Sequence, residues 1–299
     1  MIATYQKKIG KKKSFSHRYA SYIFPAPAVI TLIAVIIFPL IYVFRMSFYD
    51  WFMMSKAPPY YVGIKNYYRL LFEDPRFWLA VLRTFYFVAL AIPLQIVLGL
   101  SCALVFNKQF LGRGLLRVIF ILPMMATPVA IALIWVMIFH PIVGLGRYIL
   151  SFVGLRSLWI HSPKTVIPTL VLVDTWQWTP LIMLIILGGL AAIPQEPYEA
   201  ALVDGATRWQ RFVYVTLPLL RPFIIVALLF RLIDCLKTFD IIYVMTQGGP
   251  GTASETINIY LFNTAFYWFH MGYASSIVVI FLAIIMGFSL ILIRVRRAK

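Results

Sequence analysis

Long apolar runs set the organisation of the chain. They cover residues 22–44, 84–106, 118–139, 165–193, 222–245 and 275–293. The second, third and sixth carry no charge, the fourth carries only Asp174, and the fifth carries Arg231, Asp234, Lys237 and Asp240. About 20 residues of helix cross the roughly 30 Å of bilayer hydrocarbon, so each run is long enough to span. Backbone in lipid must bond to itself, and barrel strands are short and alternating, so runs this continuous predict helices. The pattern predicts an all-α integral membrane protein of six transmembrane helices. Pro93, Pro123, Pro128, Pro168 and Pro180 interrupt the spans. Such breaks line cavities in some membrane proteins and are ordinary in others.

Composition agrees. Of 299 residues, 62% are hydrophobic and 12% charged, about half the charged share of a soluble domain. A water-facing surface cannot be built from so few charges, which argues against a soluble enzyme. The net charge of +17 comes from 27 Lys and Arg against 10 Asp and Glu. In a membrane protein such an excess reports topology rather than nucleic-acid binding. With the N-terminus inside, the cytoplasmic segments hold sixteen Lys and Arg and the outer ones eight, which predicts cytoplasmic N- and C-termini. The basic stretch 1–20 then reads as a cytoplasmic tail and 21–299 as the membrane domain. The first run exceeds the apolar core of a signal peptide, so it reads as a retained anchor.

The outer segment 46–82 contains eleven aromatic residues, which suit the membrane–water boundary. Within it Asn66 is placed to cap a short helix over 67–72. Cys102 and Cys235 both lie in apolar runs and predict no disulfide. His17, His140, His161 and His270 are scattered, so no metal site is expected. No G-x-x-x-x-G-K-[ST] phosphate loop occurs.

The connection at 195–222 differs from its surroundings. Pro197 fits a first helical turn, with Glu196 and Glu199 near its positive end. Tyr198, Ala201 and Leu202 share one small apolar face, and Gly205 suits the left-handed residue that ends a helix. A second short helix is predicted over 207–215, with Pro218 and Pro222 stopping it and starting the next span. The product is a helical hairpin on the cytoplasmic face, either a docking element for a soluble partner or a plain link between spans.

Glu199-Ala200-Ala201, three residues, Gly205, nine residues, Val215, one residue and Leu217-Pro218 resembles the EAA motif of binding-protein-dependent ABC importer permeases. Val215 replaces the usual Ile. Asp204-Gly205-Ala206 looks like the usual DGA of the motif. Thr246-Gln-Gly248-Gly249-Pro250, with Gly272-Tyr273-Ala274 beyond, resembles the sugar-permease class, of the maltose-F and glycerol-phosphate-A type. The likeness covers nearly the whole chain, with a family-like core over about 80–295.

The resemblance implies the type I ABC importer transmembrane fold and a bacterial cytoplasmic (inner) membrane location. It implies a second, related permease as heterodimer partner, two ATP-binding subunits, and an extracytoplasmic substrate-binding protein. It implies no cofactor on this chain, with ATP and magnesium on the partner ATPase. The coupling residues would be Glu199, Ala200, Ala201, Asp204, Gly205, Leu217 and Pro218, and the substrate a sugar, oligosaccharide or related polyol.

Ionisable groups within spans are costly and usually face a bundle interior or a wet cavity. Arg231, Asp234, Lys237 and Asp240 follow one another at i+3 steps, so Arg231–Asp234 and Lys237–Asp240 are predicted pairs. Together with Tyr243 they are candidates for a substrate pathway, or else for subunit packing. Asp174, Trp176, Gln177 and Trp178 offer carboxylate, amide and ring faces suited to a sugar, although aromatics near a span end also serve as interfacial anchors. A lipid-modifying enzyme would need acids or histidines grouped at the membrane face, and a self-sufficient secondary transporter usually has more spans or an internal repeat.

Overall fold

The computed structural model describes residues 23–146, 148 and 159–297. The basic tail at 1–20, Arg147, Arg156 and Lys299 lie outside the described residues. Among the described residues, five helices are long and apolar enough to cross a membrane: α1 (Ala26–Met46), α3 (Pro75–Asn107), α6 (Val166–Ala192), α8 (Arg208–Lys237) and α11 (Met271–Arg297). A sixth span is the broken pair α4 (Arg113–Met125) and α5 (Pro128–Ile138).

That break corrects the expectation of one continuous span over 118–139, because α4 and α5 meet at 98°. Pro128 has no N–H to donate and drives Thr127 into the extended region, where the Thr127 hydroxyl caps α5 by accepting from the Ala130 N–H. The carbonyl released at Ala126 accepts from the Gln177 amide at 3.3 Å. Non-helical backbone persists at this depth because a neighbouring helix satisfies it.

The fifth span also departs from expectation. Thr207 and Gln210 form a reciprocal capping box, and from Arg208 the helix runs on through a π-turn at Phe212–Thr216 to Lys237. Pro218 and Pro222 lie inside it rather than stopping it. The helix ends at Lys237, earlier than the apolar run suggests. Asn258 draws off the carbonyls of Leu236 and Thr238 at 2.9 and 3.3 Å, and α9 (Asp240–Thr246) starts afresh. Asp240 therefore leaves the helical stagger of Lys237, and the predicted Lys237–Asp240 pair does not form.

After α1 a short antiparallel hairpin pairs β1 (Tyr49–Asp50) with β2 (Tyr60–Tyr61), and an isolated bridge joins Phe52 to His270; these are the extended pairings among the described residues. Asn66 does not cap a helix over 67–72. It lies inside α2 (Lys65–Tyr68), and its amide donates to the carbonyls of Ser47 and Tyr49 at 2.9 and 3.0 Å, folding the loop onto the end of α1.

Asp74 caps α3 by accepting from the Phe77 N–H, and it also accepts from the hydroxyls of Tyr260 and Tyr273. Burial, and the Asp74 carboxylate beside it, hold the Tyr260 phenol protonated well above its ordinary range. Arg76 makes a two-pronged contact with Glu255 at 2.8 and 2.9 Å. These bonds clamp the segment before and through α10 (Ile257–Phe262), and the start of α11, to the N-terminal end of α3.

The core lies where α3, α6 and α8 meet. Lipid is as apolar as leucine, so close packing rather than water exclusion holds such helices together. At Gly99 a Cβ would stand 2.5 Å from the Ile182 side chain, and its absence lets α3 approach α6. One apolar cluster gathers around Phe77, Phe87, Leu170 and Ile242 towards one end of the bundle, and a second around Phe106, Ile182, Met183 and Leu220 towards the other. Along each of the three helices the chain passes from one cluster to the other through a buried polar residue: Gln95, Asp174 or Arg231.

Candidate substrate recess and coupling hairpin

Gln95, Asp174 and Arg231 form one network. The Gln95 amide donates to Asp174 Oδ2 at 2.6 Å, while Gln95 Oε1 accepts from Arg231 Nε at 2.8 Å. Arg231 Nη2 reaches Asp174 Oδ2 at 2.7 Å and Cys235 Sγ at 2.9 Å, and its Nη1 bonds Asp234. The Trp178 ring lies 5.1 Å from the guanidinium carbon, a cation–π position. Side-chain exposure is 0% for Arg231 and 1% for Asp174 but 47% for Asp234. Charge is thus led from a sealed layer to an open edge.

That edge is a recess of about 130 Å³, lined by Asp174, Trp178, Asp234, Lys237 and Asp240, with Pro128 of the broken span at its rim. The structure therefore brings the fourth- and fifth-span candidates to one place. Asp174 Oδ1 is buried and carries no hydrogen bond.

Three of the predicted pathway residues stand elsewhere. Trp176 faces away and meets Trp135 edge-on at 5.5 Å. Gln177 is buried against the α4–α5 break. Tyr243 stacks on Phe239 at 5.1 Å and lines a separate opening with Gln247, Asn263 and Tyr267. Gln95 was missed in the sequence, where its signal was a lone amide in an otherwise uncharged span. Arg76 and Glu255 were missed because 179 positions separate them.

The hairpin at the other end of α6 is built by local rules. Helix α7 (Glu196–Val203) has Pro197 and two acids in its first turn. At its end Gly205 takes φ +74°, the Gly205 N–H donates to Leu202 O at 3.1 Å, and the Ala206 N–H donates to Ala201 O at 2.9 Å. This is the paired-bond left-handed stop that glycine favours. Tyr198 turns inward and donates to the Thr216 hydroxyl at 3.1 Å, tying α7 to α8. Glu199, Ala200, Asp204 and Gly205 are exposed, and Ala201 is half-buried. Leu202 does not join the inward face with Tyr198. It is 54% exposed and Val203 88%, so α7 carries uncovered apolar side chains. Leu217 and Pro218 lie on α8, next to Thr216.

Residues 95–298 match the family model described as "Binding-protein-dependent transport system inner membrane component". The trehalose/maltose transport system permease protein MalF of Thermococcus litoralis is 36% identical over 96% of this chain and 97% of its own length. The sulfoquinovosyl glycerol transport system permease protein SmoG of Agrobacterium fabrum is 36% identical over 92% and 89%. A crystal structure of a bacterial ABC transporter involved in import of the acidic polysaccharide alginate superposes with a TM-score of 0.82, at 24% identity, over 95% of this chain and 96% of that one. With six spans, one broken, and a capped hairpin after the fourth, the chain belongs to the binding-protein-dependent inner membrane component family and is a permease subunit of an ABC importer with the type I fold.

Proposed function

We propose that this permease forms part of the pathway for a sugar, oligosaccharide or related polyol, driven by ATP hydrolysis on partner subunits. It works with a second permease, two ATP-binding subunits and an extracytoplasmic binding protein. ATP and magnesium act on the ATPase, and no cofactor is held by this chain. The N- and C-termini and the α7 hairpin face the cytoplasm, in keeping with the sixteen-to-eight bias of basic residues.

The observation that carries this reading is the joint placement of acids, a cation and an indole at one recess beside a broken span. Carboxylates accept hydroxyl hydrogens, Lys237 donates, and the Trp178 ring packs on sugar C–H faces. The exposed face of α7, with Glu199, Ala200 and Leu202 outward, supplies a surface for an ATPase cleft. A closing motion there passes through Tyr198–Thr216 to α8 and so to Arg231 and the recess. Coupling of this kind requires that ATP and substrate each prefer one of two arrangements.

Asp240→Ala tests the pathway. Asp240 is exposed at the recess and takes no part in the buried network. Uptake of radiolabelled oligosaccharide is expected to fall about tenfold, the loss of one or two hydrogen bonds to bound substrate, with the amount of co-purified complex unchanged. A parallel loss of complex and uptake would assign Asp240 to packing instead.

A further inference from the structure

Beneath the hairpin, on the side opposite the exposed face of α7, lies a cavity of about 470 Å³. Lys108, Arg208 and Arg211 line it, and no carboxylate does. Arg211 Nε is buried without a hydrogen-bond partner. Leu104 from the end of α3, and Leu190 and Ile193 from the end of α6, give it an apolar floor continuous with the spans. Nearby, Phe110, Leu111 and Trp209 are exposed, mixed with Lys108, Arg113 and Arg208 on the same short segments. Cations interleaved with large apolar side chains at the ends of spans mark the headgroup level of a bilayer.

We propose that this cavity binds the phosphodiester headgroup of an anionic phospholipid, with Lys108, Arg208 and Arg211 around the phosphate and an acyl chain along Leu104 and Leu190. The inference rests on the cytoplasmic placement of the hairpin proposed above. Three cations without an acid favour an anion, and basic pockets between spans at a cytoplasmic face recognise lipid headgroups. The apolar floor favours a lipid over a soluble phosphate. The ATPase does not compete for the cavity, because Tyr198 points into it while Glu199, Ala200 and Leu202 point away. A lipid seated there braces the wall formed by Gln195, Tyr198 and Phe212, and so tunes how stiffly the hairpin transmits motion.

The test is native mass spectrometry of the assembled transporter released from nanodiscs of phosphatidylcholine with or without phosphatidylglycerol. One phosphatidylglycerol is expected to stay bound at this site. Lys108→Gln and Arg211→Gln should each weaken its retention about fivefold, the effect of about 1 kcal/mol per basic residue. Arg211→Lys should keep most of it, which separates lost charge from a misfolded hairpin. Equal retention in wild type and in both Gln variants overturns the site, and so does full displacement by excess inorganic phosphate, which would make the occupant a free anion. Both leaflets of the disc carry the lipid, so the outcome is independent of which face is cytoplasmic. Loss of the site leaves the coupling reading intact, and failure of ATPase docking leaves lipid retention unchanged.

Discussion

Arg231→Ala is expected to cost about 3–5 kcal/mol of stability, because it strands Asp174 as a buried charge. Arg231 is fully enclosed and spends its guanidinium hydrogens on Gln95, Asp174, Asp234 and Cys235. Without it, Asp174 keeps bonds from the Gln95 amide and, at 3.7 Å, the Cys235 thiol, but loses the guanidinium that balances its charge. Arg231→Lys retains the charge but not the planar fork, and is expected to fall between. The contrast that separates charge from volume is Arg231→Met with Asp174→Asn, which removes both charges and should recover part of the loss. Thermal unfolding of detergent-solubilised protein, followed by fluorescence-detected size exclusion, reads all three. A wild-type melting temperature for Arg231→Ala would show that the network contributes nothing to the fold.

Gly205→Pro is expected to leave membrane insertion and yield unchanged while lowering ATP-driven uptake about tenfold or more. Proline fixes φ near −65°, whereas Gly205 sits at +74° and donates its N–H to Leu202 O, which proline cannot do. The mismatch is confined to the turn, since no other atom lies within 4 Å of a Cβ built at Gly205. The defect therefore comes from backbone conformation rather than a clash. Gly205→Ala, which pays only the left-handed penalty of about 1–2 kcal/mol, should give a smaller defect in the same uptake assay. Hydrolysis of ATP without uptake in the proline variant is the signature of a broken joint, and normal uptake would remove the hairpin from the coupling path.

Much of the architecture was legible because its causes are local. Continuous apolar runs require helices in lipid, and four of the spans lie near where the runs place them. The α7 stop was legible at Gly205 because a helix end is decided within a few residues. The breaks were less so. Residues 238–245 stay as apolar as the span before them, and the helix ends there because Asn258, from a distant segment, takes its carbonyls. At Thr127-Pro128 a local signal was present, a capping hydroxyl before a proline, but apolar composition runs through it. The clamp of Asp74 and Arg76 on Tyr260 and Glu255 joins residues about 180 positions apart and leaves no local trace. At the recess the charged residues were visible as costly exceptions within spans. Which of them are sealed and which are open depends on helix rotation, and that is why Trp176 and Gln177 stand apart from Asp174 and Trp178.

The central claim is that α7 is the contact through which a cytosolic ATPase moves this subunit. Its most direct test places a photo-activated benzoylphenylalanine at Leu202, in the assembled transporter within native membranes, and identifies the adduct by mass spectrometry. The account predicts a covalent link to an ATP-binding subunit, with none from the same probe at Lys56 in the loop between α1 and α3. A Leu202 adduct with the extracytoplasmic binding protein, or none with any nucleotide-binding chain in the intact complex, would contradict it.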